Sequence, residues 1–251
     1  AGQANKRGGS SPFRRFLADL GGAVVRWAQG PVSYGEEVRI KGSGHPFAGS
    51  FMSDHSSAWP DAFHWWIDAV GSYLVYTRRQ IRIGQAGVAG NDIGILGDLR
   101  SHHADLMIGS AGVVLVPKGE TTVNGKGGES FLLHDGDQIR FRTVELTFRQ
   151  PQAWSRTARL ELTSRHRLAT SMDGIILLGE TAVIGPQTDA IIRTEWAKPL
   201  FVNWYQRRYW VRGEESLLVD GKPTGGCAPL EPNSRIEGSW GSFLWEPIQR
   251  R

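Results

Sequence analysis

Residues 100–103 (RSHH) lie between two strand-like apolar runs and include side chains that can donate hydrogen bonds to an anion. The planar guanidinium of Arg100 offers a fork of N–H donors that matches the oxygens of a phosphate group. Ser101 adds a hydroxyl, and the amide of Gln85, in the preceding glycine-rich stretch, can also donate. Such donors bind a phosphate only when a rigid scaffold holds the loops that carry them.

Patterns typical of catalysis or metal binding are not evident in the sequence. Three histidines, at positions 45, 55 and 64, match no metal-ligand spacing. Residues 53–55 (SDH) are adjacent, but neighbours in a strand or loop point in different directions, and no oxyanion-hole signature accompanies them. The single cysteine, Cys227, excludes an intrachain disulfide and a cysteine-based metal cluster. The sequence therefore predicts a protein that is not an enzyme and needs no cofactor or metal.

Nucleic-acid binding is not favoured by the charge pattern. The formal net charge is +4, and acidic residues are interspersed among the basic ones. The pairs Arg78-Arg79 and Arg207-Arg208 are basic, and Tyr205 and Tyr209 flank the second pair, which could stack on single-stranded bases. Charged residues that protect a sheet edge are the simpler interpretation. The G-x-x-G-x-x-G pattern over residues 84–90 lacks the Lys-Ser/Thr ending of a phosphate-binding loop and does not lead into a helix.

The scaffold around these residues is predicted to be a β-sandwich. The run from Val144 to Phe148 alternates apolar and polar residues, as a half-buried strand does. Asn124-Gly125 and Asp135-Gly136 supply the positive φ angles that tight hairpin turns require. Short strands closed by such turns every ten or so residues are typical of a sandwich and not of a parallel α/β sheet.

Between residues 71 and 151 the order of these signals resembles the forkhead-associated (FHA) domains, a family that binds phosphothreonine. Those domains carry Ile-Gly-Arg at a strand end, then Asp-Ile, a Ser-x-x-His-Ala segment, an Asn-Gly turn and a late Leu-x-x-Gly-Asp-x-Ile. The counterparts in this sequence are Ile83-Gly84-Gln85, Asp92-Ile93, Arg100-Ser101-His102-His103-Ala104, Asn124-Gly125, and Leu133-His134-Asp135-Gly136-Asp137-Gln138-Ile139.

The resemblance implies a set of ligand-binding residues. In the family, the Arg and the Ser bind the phosphate, the Asn holds the peptide backbone, and the His joins the loops. Here His103 and Asn124 match, whereas Gln85 stands in place of the Arg and Arg100 in place of the Ser. The implied ligand-binding residues are Gln85, Arg100, Ser101, Thr122 and Asn124, and those that support the site are Gly84, His103 and Gly125.

The strand pattern is repeated later in the chain. Ile184-Gly185 corresponds to Ile83-Gly84, Asp220-Gly221 to Asn124-Gly125, and further matching runs follow, all at offsets of 96–101 residues. Such a nearly constant offset indicates a tandem duplication. The sequence therefore predicts two FHA-like sandwiches, of which the second is a degenerate copy.

The second copy is predicted to lack the ligand-binding loops. His103 lies 19 positions after Gly84, but only residues 187–190 stand between Pro186 and the apolar pair at 191–192. About 15 residues of the loop region are therefore expected to be missing. The second copy is interpreted as a structural partner, in which core and inter-domain packing is the expected use of its aromatic residues Trp196, Trp204, Tyr205, Tyr209 and Trp210.

The sequence divides into an N-terminal region, 1–64, followed by sandwiches at 65–151 and 152–251. The N-terminal region comprises a polar tail, a helix at 12–29 and an irregular arm. Apolar residues at spacings of three and four give the helix one apolar stripe, and Pro12 and Gly30-Pro31 bound it. That stripe could dock on this protein's own sandwich, on a partner or on a membrane surface. No run is long and apolar enough to be a transmembrane helix.

The predicted function is that of a non-enzymatic adaptor or scaffold whose first sandwich binds a protein partner phosphorylated on threonine. The alternative is a structural subunit that uses the same fold for assembly and does not depend on phosphorylation. The single cysteine fits a reducing compartment, and a cytoplasmic location is expected.

Overall fold

The computed structural model describes residues 59–213, 216–239 and 241–248. All of the regular structure in these residues is β-strand, so the prediction of an all-β protein is confirmed for this part of the chain. The helix at 12–29 and most of the predicted arm lie outside the described residues. In the described part of the chain, no helix is long and apolar enough to cross a membrane.

The strands of the first repeat are short and joined by tight turns. They are β1 (Ala62–Ile67), β2 (Gly71–Tyr76), β3 (Gln80–Gln85), β4 (Ile93–Leu96), β5 (Ala104–Gly109), β6 (Gly112–Pro117), β7 (Thr121–Val123), β8 (Lys126–Gly127), β9 (Phe131–Leu132), β10 (Gln138–Phe141) and β11 (Val144–Arg149).

The second repeat has a matching series of strands and one additional strand, β13. They are β12 (Ala158–Leu162), β13 (Arg167–Leu168), β14 (Gly174–Leu177), β15 (Thr181–Gly185), β16 (Ile192–Arg193), β17 (Leu200–Tyr205), β18 (Arg208–Gly213), β19 (Leu217–Val219), β20 (Lys222–Thr224), β21 (Cys227–Pro229), β22 (Arg235–Gly238) and β23 (Gly241–Pro247).

The described strands form three sheets, and the largest is symmetric about its centre. Its twelve strands run in the order β20-β19-β22-β23-β1-β2-β14-β12-β11-β10-β7-β8. The central strands β2 and β14 are equivalent in the two repeats and pair in parallel. A six-stranded sheet, β13-β4-β3-β5-β6-β9, and a five-stranded sheet, β16-β15-β17-β18-β21, complete the fold.

Strands β2 and β14 are buried on both faces, which explains their unbroken apolar sequences. In β2, Leu74 belongs to one hydrophobic core and Val75 to another. In β14, Ile175 and Ile176 divide in the same way. Because successive side chains of a strand point to opposite faces, these two strands contribute to two cores at once.

The six-stranded sheet packs against one half of the large sheet to form the first core. Its largest fully buried side chains include Phe141, Phe148 and Ile83. The five-stranded sheet packs against the other half and encloses a second core, which includes Trp65, Trp245 and Phe243. The described residues thus contain two sandwiches that share a continuous sheet.

The continuity of this sheet differs from the expected succession of two separate sandwiches. Strand β1 opens the first repeat but pairs with β23, which closes the second. Its equivalent β12 pairs with β11, which closes the first repeat. The opening strands have therefore exchanged places between the repeats. Strand β1 also begins at Ala62, inside the segment that was expected to be an irregular arm.

The second repeat is shortened less than its sequence suggested. Strand β16 pairs in parallel with β15, just as β4 pairs with β3, so residues 191–192 correspond to β4 and not to the later β5. Strand β5 begins 20 positions after Gly84, and β17 begins 15 positions after Gly185. The shortening is therefore five residues, and the expected loss of about 15 was wrong.

Candidate functional site

Three connections of the first sandwich, called the site loops below, carry most of the candidate residues. They are residues 86–92 between β3 and β4, residues 97–103 between β4 and β5, and residues 118–120 between β6 and β7. Gln85 ends β3 at the start of the first loop. Arg100 and Ser101 lie in the second loop, and both are exposed.

Asn91 binds two of these segments together. Its Nδ2 amide donates to the carbonyl oxygen of Gln85 at 3.1 Å and to that of Ser101 at 2.6 Å. Gly84 leaves the space that this contact needs, because a Cβ atom there would lie 2.2 Å from the Ser101 oxygen and 2.5 Å from Asn91 Nδ2. Sequence reasoning chose Gly84 but missed Asn91, although the position of Asn91 directly before the Asp-Ile element was visible.

Arg100 connects the second site loop to its neighbours. Its carbonyl oxygen accepts a hydrogen bond from the Gln85 N–H at 3.0 Å. Its guanidinium donates from Nη1 to the carbonyl oxygen of Lys118 at 2.8 Å. The structure therefore brings Gln85, Arg100 and Ser101 together, with the exposed Lys118 beside them. The sequence offered no signal for Lys118, whose main chain makes this contact.

His103 is fully buried beneath the site loops. Its Nδ1 accepts a hydrogen bond from the Arg100 N–H at 3.2 Å, and its Nε2–H donates to the carbonyl oxygen of Glu120 at 3.1 Å. The ring packs on Phe141, with centroids 4.9 Å apart. Burial lowers the pKa of the imidazole, and the positive charges of Arg100 and Arg142 lower it further, so the ring is neutral with its proton on Nε2.

The carboxylates of the site loops are each in contact with an arginine. Asp92 contacts Arg78, and Asp98 and Glu120 contact Arg142 at 3.0 Å and 4.0 Å. These contacts offset much of the negative charge that the loops would otherwise present near Arg100. Among the described residues, no three His, Cys, Asp or Glu side chains are placed to hold a metal ion.

Asn124 is not part of this network. It lies in the turn between β7 and β8 with φ of 52°, and its Nδ2 donates to Asp137 at 2.8 Å. Its Oδ1 accepts from the Gln138 N–H at 2.9 Å. Thr122 lies on β7 between Gly127 and Arg140 of the adjacent strands. These contacts of Asn124 thus hold the hairpin against β10.

The second repeat contains the same turn, although it was not expected to bind a ligand. Asp220 has φ of 51°, and its Oδ1 accepts from the Arg235 N–H at 2.9 Å, as Asn124 Oδ1 does from Gln138. Gly221 and Gly125 follow with φ of 74° and 77°. Both repeats therefore keep the geometry of a tight hairpin turn at this position.

The aromatic residues of the second repeat differ in how far they are buried. Tyr209 and Trp196 are buried, and Tyr209 packs on Trp204 with centroids 4.7 Å apart. Burial raises the pKa of the Tyr209 hydroxyl, which donates to the carbonyl oxygen of Gly179 at 3.0 Å. Tyr205 is 55% exposed and lies at the β17–β18 turn.

No family model and no curated protein matches the chain. Among solved structures, it is similar to the FHA-2 domain of the Mycobacterium tuberculosis ABC transporter Rv1747, at 23% identity over 49% of this chain and 99% of that chain, with a TM-score of 0.29. The Rv0020c FHA structure matches at 22% identity over 38% and 98%, with a TM-score of 0.27. The N-terminal FHA domain of EssC, from a bacterial type VII secretion apparatus, matches at 8% identity over 74% and 91%, with a TM-score of 0.21.

Proposed function

We propose that this chain is a protein-interaction module whose first sandwich binds phosphothreonine peptides through the site loops. The observation that carries the proposal is the exposed guanidinium of Arg100, which one hydrogen bond fixes to the carbonyl oxygen of Lys118. Gln85 and Ser101 present an amide and a hydroxyl from the adjoining segments. The sequence resemblance to FHA domains supports the same ligand class.

The chemistry of phosphate suits this group of donors. A phosphorylated threonine carries nearly two negative charges at pH 7 and has three acceptor oxygens. The guanidinium of Arg100 can donate to two of these oxygens, and Ser101 and Gln85 can donate to the third. Lys118 adds a second positive charge at the loop beside Arg100. Hydrogen bonds to charged groups contribute about 1.5–3 kcal/mol each, more than those between neutral groups.

The side chains that join the site loops reduce the entropic cost of binding. His103 and Asn91 hold three loop segments in place before a ligand arrives. Loops that are already ordered lose less conformational freedom on binding, so more of the interaction energy is retained as affinity. The site is accordingly a rigid platform with exposed donors.

Titration of the protein with a phosphothreonine peptide library and its unphosphorylated twin tests the proposal. Binding should be restricted to the phosphorylated set, and Arg100→Ala should weaken it about tenfold or more. Arg140→Ala is the matched control, because Arg140 is an exposed arginine of the same sandwich that pairs with Glu145 at 2.8 Å. Equal binding of both peptide sets would contradict phosphate recognition.

A phosphorylation-independent assembly role is the second candidate. It is favoured by the internal hydrogen bonds of Asn124, which the resemblance assigns to the peptide backbone, and by the neutral Gln85 where the family has an arginine. On this alternative, a protein partner would bind the site loops equally well before and after phosphatase treatment. Arg100→Ala would then weaken binding of the phosphorylated and the unphosphorylated partner to the same extent.

A further inference from the structure

The connection between β12 and β14, residues 163–173, is called the strap here. It belongs to the second repeat, and its counterpart in the first repeat is the three-residue turn 68–70. The longer connection contains β13, which lies on the six-stranded sheet of the first sandwich. There it pairs antiparallel with β4, with Leu168 opposite Ile95 and Arg167 opposite Leu96.

The strap is fastened to the first sandwich by several contacts. The Ala169 N–H donates to the carbonyl oxygen of Gly94 at 2.8 Å. The side chain of Leu168 is buried in the first core. The Ser164 hydroxyl accepts from the Glu145 N–H at 3.1 Å and lies 2.9 Å from His166 Nδ1.

Two glycines show how closely the strap approaches β4. A Cβ atom at Gly94 would lie 3.3 Å from the Cβ of Ala169, and one at Gly97 would lie 2.9 Å from Cδ2 of His166. Any larger residue at Gly97 would therefore displace the His166 ring or the loop. The strap can approach β4 this closely because positions 94 and 97 carry no side chain.

Strand β4 joins two of the three site loops, so its position determines where residues 86–92 end and residues 97–103 begin. The Ala86 N–H also donates to the carbonyl oxygen of Ile95 at 3.0 Å, which ties the first loop directly to β4. Strand β4 has four residues and pairs in parallel with β3. A strand this short is poorly held at a sheet edge, and a second neighbour restrains it.

The second sandwich provides an internal comparison. Its strand β16 corresponds to β4 and is the outermost strand of the five-stranded sheet. Among the described strands, none covers β16 as β13 covers β4. Within the described part of the chain, the repeat that donates the strap has no strand over its own equivalent edge, and the covered edge is the one that adjoins Gln85, Arg100 and Ser101.

We propose that the strap is a positioning element of the phosphopeptide site, with Leu168 as its main positioning residue. By restraining β4, the strap fixes the ends of two site loops and holds Arg100 and Ser101 in the arrangement that binds phosphate. The inference rests on the proposed function of the site. It assigns the second repeat a direct role in ligand affinity, beyond that of a structural partner.

Leu168→Ala tests the proposal, with Leu133→Ala as the matched control. Both leucines are buried in the first core, at 8% and 3% exposure, but Leu133 lies after β9 and bonds through its N–H to Val113, away from the site loops. The peptide Kd of Leu168→Ala should rise about fivefold or more, because the binding-competent state is less populated. Leu133→Ala should leave the Kd unchanged at temperatures where both variants are folded.

Amide hydrogen exchange supplies a second measurement that needs no ligand. Residues 86–92 and 97–103 should exchange faster in Leu168→Ala than in the wild type, whereas β5 and β6 should not. Leu168→Met, which keeps most of the buried volume, should retain the slow exchange and tight binding of the wild type. Ala169→Pro, which removes the hydrogen bond to Gly94 without altering the core, should act like Leu168→Ala.

The outcomes separate this inference from the proposed function. Unchanged exchange at the site loops in both Leu168→Ala and Ala169→Pro would overturn the strap's role, even if the wild type binds phosphopeptide. Faster exchange with an unchanged Kd would overturn it as well. If the wild type binds no phosphopeptide, the proposed function fails, and the exchange measurement alone still shows whether the strap holds the loops.

Discussion

At the scale of single residues, the candidate site depends as much on buried side chains as on exposed ones. Arg100 faces solvent, but its main chain is held by His103, whose ring also binds the Glu120 carbonyl oxygen in the next loop. An imidazole that accepts at Nδ1 and donates at Nε2 must stay neutral to keep both bonds. The protonation state of one buried residue therefore affects the geometry of the exposed donors.

This dependence predicts how stability changes with pH. Burial and the charges of Arg100 and Arg142 lower the pKa of His103 in the folded protein below the value of about 6.5 in the unfolded chain. Between these two pKa values the unfolded chain binds more protons, so the stabilising contribution is complete above about pH 6.5 and is lost as the pH falls below it. Urea unfolding of His103→Gln should show a smaller loss of stability between pH 7.5 and pH 5 than the wild type.

His134→Gln is the control for this measurement. The His134 side chain is 72% exposed and lies 3.8 Å from Asp137, and it does not support the site loops. This variant removes an imidazole outside the site loops, so it separates the effect of His103 from that of replacing a histidine elsewhere. If His103→Gln and the wild type lose stability equally on acidification, His103 does not couple protonation to folding.

Gly84 provides a second prediction at this scale. An alanine there would place its Cβ against the Ser101 carbonyl oxygen and the Asn91 amide, both of which are fixed by hydrogen bonds. Gly84→Ala should lower the free energy of unfolding by about 1–3 kcal/mol and weaken phosphopeptide binding, both measurable by urea unfolding and peptide titration. Gly127→Ala, whose Cβ would meet no atom within 4 Å, should change neither quantity. Similar behaviour of the two variants would contradict the close packing of the loops.

The order of motifs that resembles FHA domains pointed to part of the candidate site. It led to Gln85, Arg100 and Ser101, whose donors suit phosphate. Lys118 could not be chosen, since its contact with Arg100 exists only after two loops meet. Asn91 was missed because its place before the Asp-Ile element does not show that its amide reaches both Gln85 and Ser101. The prediction for Asn124 was limited in another way. A tight turn requires an Asn-Gly pair whether or not a ligand is present, so the pair alone does not indicate binding.

At the scale of elements, the hairpin between β7 and β8 is a structural unit found in both repeats. Asn124 adopts a positive φ and makes two side-chain hydrogen bonds to the start of β10. Asn124→Ala should therefore lower the free energy of unfolding by about 1–2 kcal/mol, as expected for the loss of such bonds. Phosphopeptide affinity, measured on the folded variant, should change less than twofold.

Asp220→Ala is the matched variant in the second repeat. Its Oδ1 makes the equivalent bond to Arg235, so its loss of stability should be similar and its peptide affinity unchanged. A selective loss of peptide binding in Asn124→Ala, with normal stability, would instead show that this side chain contacts the ligand. Urea unfolding and peptide titration of both variants decide between these outcomes.

Most strands and turns could be located from the sequence, but some of their partners could not. Alternation of apolar residues and Asn-Gly or Asp-Gly pairs marked β11 and its neighbouring turns correctly. Strand β13 has only two residues and no such signal, so its pairing with β4 was not foreseen. The counterpart of β4 in the second repeat was misassigned, because a short apolar pair fits either β4 or β5.

At the scale of the whole molecule, the two repeats share one sheet because their opening strands have exchanged. The sequence repeat cannot reveal this exchange. Strands β1 and β12 have the same place in the repeat, and pairing with β11 or with β23 buries similar apolar faces. Only the tertiary arrangement, with β2 and β14 side by side, determines which pairing occurs.

This arrangement predicts which fragment of the chain can fold. All buried residues of the first core lie between Leu74 and Leu177, in the segment from β2 to β14. The fragment 65–151, which the sequence repeat suggests, lacks β12, β13 and β14 and so loses five buried core residues, among them Leu160, Leu168 and Ile175. Fragment 71–178 contains every buried residue of this core and should unfold cooperatively in urea, whereas fragment 65–151 should not.

Strands β2 and β14 have a second face, which packs in the second core. In fragment 71–178 this face must be made polar. In fragment 71–178, Val75 and Ile176 would lose their cover from the second core and form an exposed apolar patch. Val75→Thr and Ile176→Thr should keep the strand propensity and prevent association of the fragment. If fragment 65–151 folds cooperatively and the substituted fragment 71–178 does not, the strands have not exchanged, and the strap cannot be the element that positions the site.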